Sequence, residues 1–250
     1  TAGTFTDAIR AAMTGRTRVL FLSHVTSPTA LVFPLAGIVA EARARGIVTV
    51  IDGAHAPGHV PLDLNALGAD YYVGNCHKWL MAPKGTAFLH ARRDRQEALV
   101  PQVISHGWTE DRSASGAFGG TAFQDAFRFQ GTRDPAAWLS VPAALMFRAE
   151  QDWPAVSAAC HRLAWEIAGD VSTVTGLAPI ATPDTSAPQM IALPLPDCDT
   201  AALHRDLRAR CVEIPCYRWK QKPFARLSVQ GYNGADDGAR LVAELARLLR

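Results

Sequence analysis

Val48-Thr49-Val50-Ile51-Asp52-Gly53-Ala54-His55 and Tyr71-Tyr72-Val73-Gly74-Asn75-Cys76-His77-Lys78-Trp79 share one pattern. Each is a short apolar run, rich in β-branched or aromatic residues, that ends in polar and ionisable groups. Runs of this length bounded by glycine read as buried strands. Arg18 to Val25 (Arg-Val-Leu-Phe-Leu-Ser-His-Val) is a third of the kind, and Gly85 to Ala91 is a fourth. Between the strands lie helical patterns. Pro34 to Arg45 carries proline in its first turn, an apolar stripe of Leu35, Ile38, Val39 and Ala42, and Gly46 at its end. Leu62 to Leu67 reads as a short helical turn.

Strands alternating with helices predict an α/β class: a mostly parallel sheet flanked by helices on both faces. Such sheets bind ligands beyond the carboxyl ends of their strands. Ser23-His24, Asp52 and His77-Lys78 are expected at those ends.

The second half changes character. Residues 105 to 133 are dense in glycine and read as irregular. Asp134-Pro135 starts a helix running toward Glu150, and Trp153-Pro154 starts another. Thr173 to Pro188 reads as loop. Met190 to Leu195, Cys211 to Tyr217 and Ala225 to Val229 are strand candidates, with helices near Thr200 to Arg210 and Asp236 to Leu249. The predicted organisation is a large domain over 1–150 and a small α+β C-terminal domain over 151–250.

A chain of 250 residues, 48% hydrophobic, can bury a large core. Its formal charge of +2 implies no nucleic-acid partner, and Arg92, Arg93 and Arg95, interrupted by Asp94, read as a solvated face. Five cysteines without a CxxC spacing suggest neither a disulfide framework nor a zinc ribbon, and fit a reducing, cytoplasmic setting. No apolar run approaches the length of a membrane span. The chain begins Thr-Ala-Gly, so a processed or incomplete start is part of the expectation.

A lysine at one strand end and an acid at the next are what a pyridoxal phosphate enzyme requires. The lysine forms a Schiff base, and the acid keeps the pyridine nitrogen protonated. Lys78 and Asp52 are the candidates. Lys78 stands among His77, Cys76, Trp79 and Leu80, a poor setting for a merely solvated ammonium. Each further candidate carries a plainer reading beside the functional one. Asp52 can cap the turn through Gly53. His55 can be a satisfied loop histidine or lie beside a cofactor oxygen. Thr132, after Gly131, can be a turn residue or a phosphate ligand. Arg226 interrupts the apolar run Phe224-Ala225-Arg226-Leu227 and needs an anionic partner, either an internal carboxylate or that of a substrate.

Asp52, His55, His59 and His77 can also be read as metal ligands of a hydrolase. However, Pro57-Gly58 interrupts the His55/His59 spacing and no HExxH glutamate is present, so no metal site is assigned. A desulfurase would need a mobile, low-pKa thiolate. Cys211 and Cys216, in a strand-like run, read instead as small buried hydrophobes. Trp108, Phe118, Phe123 and Phe129 read as core or dimer-interface aromatics in preference to pocket lining.

As a set, Ser23-His24-Val25-Thr26-Ser27, Asp52 to Gly58, Gly74 to Trp79, Gly131-Thr132-Arg133-Asp134 and Arg226-Leu227-Ser228 with Tyr232-Asn233 resemble the class V aminotransferase family of fold-type I pyridoxal phosphate enzymes. The resemblance is to its isopenicillin N epimerase-like branch. It implies that Lys78 carries the cofactor, that Asp52 pairs with the pyridine nitrogen, and that His55 lies near the phenolic oxygen. It further implies phosphate contacts from His77 and Asn75, and a place near the cofactor for His24. Thr132 would reach the phosphate of the other subunit in a homodimer with shared sites, and Arg226 would hold a substrate α-carboxylate. Members carry a further stretch upstream of the segment matching Thr1, so the expected large domain is N-terminally incomplete. The implied activity is α-proton abstraction from an amino acid, with an epimerase outcome ahead of lyase or aminotransferase. A truncated, non-catalytic scaffold is the alternative.

Overall fold

The computed structural model describes residues 2–249. β1 (Val19–Ser23), β2 (Val48–Gly53) and β3 (Tyr71–Asn75) pair in parallel, and β4 (Ala87–Ala91) joins β3 antiparallel, in the order β1-β2-β3-β4. Register sets Ser23 beside Asp52, and Asp52 beside Val73. The three parallel strands therefore deliver their polar endings to one edge of the sheet.

One face of this sheet is covered. α1 (Ala2–Ala12), for which the sequence offers no clear signal, packs Phe5 and Ile9 against Met13, Leu20, Ile38, Ala42 and Ile47. α2 (Leu35–Ala44) buries the stripe Leu35, Ile38, Val39 and Ala42, as its periodicity requires. α3 (Leu64–Leu67) is capped by the Asp63 carboxylate, which accepts from the Ala66 amide at 2.9 Å. On the opposite face Val19, Phe21, Val73 and Leu89 stay exposed. The sequence predicts a mostly parallel sheet with flanking helices, and this is what forms, although these four side chains on the second face keep solvent exposure.

A buried polar knot ties the entrances of β2 and β3. The Asp70 carboxylate accepts from the Thr49 amide (2.8 Å) and hydroxyl (3.0 Å) through one oxygen. Its other oxygen meets Arg95 (2.8 Å) and Arg92 (3.0 Å). Burial alone would raise the Asp70 pKa, but these hydrogen bonds and charges pull it below its ordinary value. A depressed carboxylate contributes stability that is intact above the ordinary range and is lost as pH falls toward the folded value. Asp70→Asn breaks the pairing from one side and is expected to cost about 3–5 kcal/mol. Chemical denaturation at neutral pH measures this, and the difference from the parent should shrink in acid.

The glycine-rich stretch conceals a helix, α4 (Ala122–Arg128), opened by a capping box between Thr121 and Gln124. The helix expected from Asp134 to Glu150 is instead two. These are α5 (Ala136–Leu139) and α6 (Val141–Glu150), broken at Ser140 because Pro142 has no amide to continue the ladder. α7 (Trp153–Thr175) runs into the predicted loop and stops at Gly176, whose φ of 70° suits a left-handed cap.

The remaining elements form a second sheet with its own core. β5 (Met190–Pro194), α8 (Thr200–Ala209), β6 (Cys216–Trp219), β7 (Lys222–Ser228) and α9 (Ala235–Leu248) follow in order, and the strands pair antiparallel as β5-β7-β6. Ile191, Leu193, Ala225 and Leu227 pack against Ile167 and Val171 of α7, Leu207 of α8 and Leu245 of α9. The strand predicted from Cys211 begins only at Cys216. Cys211 is an exposed turn residue at φ 60°, set by the end of α8 just before it.

Candidate active site

Asp52 occupies the last pleat of β2, where its carbonyl accepts from the His24 amide at 2.8 Å. Gly53 comes next because nothing larger fits: a Cβ there would lie 2.1 Å from the Tyr72 ring. That approach lets the Tyr72 hydroxyl reach His24 Nδ1 at 2.9 Å, under the strand ends. Burial and the Asp52 charge keep Tyr72 a neutral phenol, while burial lowers the His24 pKa. The Asp52 Oδ1 accepts from the Ala54 amide at 2.9 Å, so the turn-capping reading is correct for one oxygen. No protein hydrogen bond engages Oδ2 among the described residues.

Lys78 and His55 meet. Lys78 Nζ lies 3.2 Å from His55 Nε2, and the Trp79 indole N–H donates to His55 Nδ1 at 3.2 Å. Burial lowers the Lys78 pKa, the Asp52 charge raises it and Arg226 lowers it again; the net direction is down. His55 is pushed down to about 4, chiefly by burial, with Lys78 and Arg226 adding to the effect and Asp52 opposing it. Asp52, Lys78, His55 and Arg226 thus share one electrostatic neighbourhood although they come from two strands, β2 and β7, and from the loops that follow β2 and β3.

Arg226, half-buried in β7, gives Nη1 to the Ser27 carbonyl and hydroxyl, both at 2.8 Å. Its Nε is buried without a partner, and no carboxylate pairs with it among the described residues. The internal salt-bridge reading therefore fails. What is left is a guanidinium edge with unspent donors, fixed by the loop after β1.

His77 Nδ1 bonds the Thr86 carbonyl at 3.1 Å, and Asn75 closes β3 opposite Ala87. Both are half-buried beside Lys78. Thr132 is exposed on the turn between α4 and α5, and no hydrogen bond joins it to the others. His59, a metal-ligand candidate by spacing, spends both ring nitrogens inside the protein, Nδ1 on the His55 carbonyl (3.2 Å) and Nε2 on the Gln189 amide (3.0 Å).

Several supporting residues escape a reading of the sequence. Arg148, a lone cation ending an apolar helix, gives Nη1 to the Trp79 carbonyl (2.9 Å) and Nη2 to that of Gly58 (2.8 Å), and lies over the Trp153 ring. The signal was there, since Arg148 is the same kind of unpaired cation in an apolar run as Arg226. Tyr72 and Gln189 had no sequence signal, since Tyr72 looks like an ordinary strand residue and Gln189 like an ordinary turn residue before β5.

This donor set suits pyridoxal phosphate. An amine biased toward its uncharged form, a carboxylate with one oxygen unspent and an arginine with an orphaned N–H are the groups that its aldehyde, its pyridinium and a substrate carboxylate call for.

Comparison with known proteins agrees. The model of the family "Aminotransferase class-V" matches residues 2–241. An isopenicillin N epimerase of Amycolatopsis lactamdurans is 39% identical over 249 residues, covering 97% of this chain and 63% of the relative. An L-cysteine desulfhydrase of Arabidopsis thaliana is 29% identical over 264 residues, covering 94% and 56%. The apo structure of a cysteine desulfurase from Thermococcus onnurineus NA1 superposes with a TM-score of 0.80 at 16% identity, over 99% of this chain and 62% of that one. The chain thus spans less than two thirds of the length of these proteins.

Proposed function

Because the chain belongs to the class V aminotransferase family of pyridoxal phosphate enzymes, we propose that it removes the α-proton of an amino acid, most in the manner of an epimerase. The observation carrying this is the Lys78 amine, 3.2 Å from His55 Nε2 and under the opposed charges of Asp52 and Arg226. Pyridoxal phosphate, when bound, supplies an electron-withdrawing ring that acidifies the α-hydrogen of an attached amino acid.

The chain's own residues do the rest. Lys78 holds the cofactor and, once freed, takes the proton at its amine nitrogen. Asp52 offers its unspent oxygen to the ring nitrogen. His24, His55, Asn75 and His77 line the cofactor, the last two toward its phosphate. Arg226 orients the substrate carboxylate. Thr132, exposed and without a hydrogen bond to this cluster, is assigned to the site of a second subunit in a homodimer.

Returning the proton to the opposite face gives epimerisation, and the 39% identity to an isopenicillin N epimerase over 97% of the chain favours that outcome. Loss of a β-substituent, as the name of the desulfhydrase relative suggests, is the second reading. Burial raises the Cys198 thiol pKa and pushes that of Cys216 up to about 12, so neither suits a desulfurase nucleophile, whereas Cys211, read from the sequence as a buried hydrophobe, is instead exposed on the turn after α8. The division into a large domain over 1–150 and a small C-terminal domain over 151–250 is part of the proposal. A cytoplasmic setting is part of the proposal. Among the described residues no helix is long and apolar enough to cross a membrane.

Incubating the full-length protein with candidate amino acids in deuterated water tests the reading. Deuterium at the α-carbon with inverted product identifies an epimerase, and a released β-group identifies a lyase. Absence of exchange with every amino acid tried would rule out α-proton abstraction. Arg226→Lys keeps the charge but loses the fork. With charge-assisted hydrogen bonds worth about 1.5–3 kcal/mol each, KM should rise roughly 10- to 100-fold, with a smaller change in kcat.

A further inference from the structure

We propose that Trp79 is a positioning residue: by occupying His55 Nδ1, its indole N–H fixes the His55 proton on Nε2 and so holds Lys78 as an uncharged amine. Donor and acceptor chemistry dictates this. An indole N–H only donates, so the 3.2 Å bond from Trp79 takes the lone pair of His55 Nδ1. A neutral imidazole has one proton and one lone pair, and its proton must then sit on Nε2. That N–H faces Lys78 Nζ at 3.2 Å. An ammonium has three N–H bonds and no lone pair, so against Nε2–H it would meet donor with donor. The free amine alone can accept.

Burial already pushes the Lys78 pKa down, and the charges around the pair pull in opposite directions. Asp52 draws Lys78 toward the ammonium and Arg226 opposes it, and both act on His55 in the same senses. The oriented imidazole acts in the same direction as burial. A doubly protonated His55 would lose the Trp79 bond as well, in keeping with a pKa lowered to about 4.

Trp79 is itself held. Its ring stacks on His59 at 4.0 Å, and its carbonyl accepts from Arg148 at 2.9 Å. His59 is in turn locked between the His55 carbonyl and the Gln189 amide. The indole therefore has no free swing, and the segment from Gly53 to His59 is tied to the residue just after Lys78. The arrangement presents a nucleophilic amine before any cofactor arrives, and leaves His55 a donor toward an anion beside Lys78.

This role deepens the one proposed for Lys78 and rests on it for catalytic meaning, but its test needs no turnover. The full-length chain, stripped of cofactor and labelled with ¹⁵N-histidine, should show His55 protonated at Nε2 through the neutral range, with the resonance assigned through His55→Gln. Trp79→Phe keeps a ring to stack on His59 and removes the N–H. His55 can then carry its proton on Nδ1 and accept at Nε2 from an ammonium, so the Lys78 pKa rises. Acylation of Lys78, followed by mass spectrometry against pH, should move its midpoint up by about one unit, a roughly tenfold slower reaction below the midpoint. A proton on Nδ1 in the parent protein, or an unchanged acylation profile in Trp79→Phe, overturns the proposal. If Trp79→Phe does not fold, the parent's tautomer alone decides. Borohydride capture of pyridoxal phosphate on Lys78 separates the two ideas. Nε2–H without capture sinks the enzymatic reading alone, and capture with Nδ1–H sinks only the role of Trp79.

Discussion

Lys78→Ala is expected to abolish covalent retention of pyridoxal phosphate and to lower α-proton exchange by about 10²- to 10⁴-fold, the usual worth of a positioned general base. The side chain is half-buried, its nitrogen touches His55, and its pKa is biased downward by burial. Alanine removes the amine and nothing else that holds the fold, so the denaturation midpoint should stay close to that of the parent. Lys78→Arg is the informative companion. It installs a cation that can never be deprotonated, and it should be as inactive as alanine. Borohydride reduction followed by peptide mapping is the measurement. Cofactor mass on any residue other than Lys78 would refute the assignment.

Asp52→Asn should be the next most damaging change, with exchange falling about 10²- to 10³-fold. That corresponds to about 3–4 kcal/mol of transition-state stabilisation. The substitution is clean because an asparagine Oδ1 still accepts from the Ala54 amide, so the turn after β2 survives. What disappears is the negative charge. The Asp52 charge raises the Lys78 pKa, so its removal lowers that pKa further, and the acylation midpoint of Lys78 should move to lower pH. The shift is opposite in sign to the one expected for Trp79→Phe. An Asp52→Asn protein that exchanges within about twofold of the parent would show that this carboxylate does not face the reacting centre.

Much of the site was legible because strand ends announce themselves. Val48–Gly53 and Tyr71–Asn75 carry apolar residues until the sheet stops, and the residues beyond them must be loop at the carboxyl edge. Arg226 was visible for a related reason, as a cation in an apolar strand, although its settled partner is Ser27 and not a carboxylate. The hidden parts are those where one residue type serves two ends. The glycines around α4 suggest coil, yet Gly107, Gly116 and Gly120 pack against Asp125 and leave no room for a Cβ. Cys211 sits in a β-branched run, but the helix before it ends in a left-handed turn that no local pattern forecasts.

Periodicity and chain order determined the sheet and its carboxyl edge, and so which lysine and which acid stand there, because the alternation of buried and exposed residues is a one-dimensional property. The tertiary structure decided which atom of each meets which. Only packing could turn the His55 ring so that Nδ1 faces an indole and Nε2 faces an amine. A hydrogen bond depends on the direction of a lone pair, and direction is absent from the order of residues along a chain.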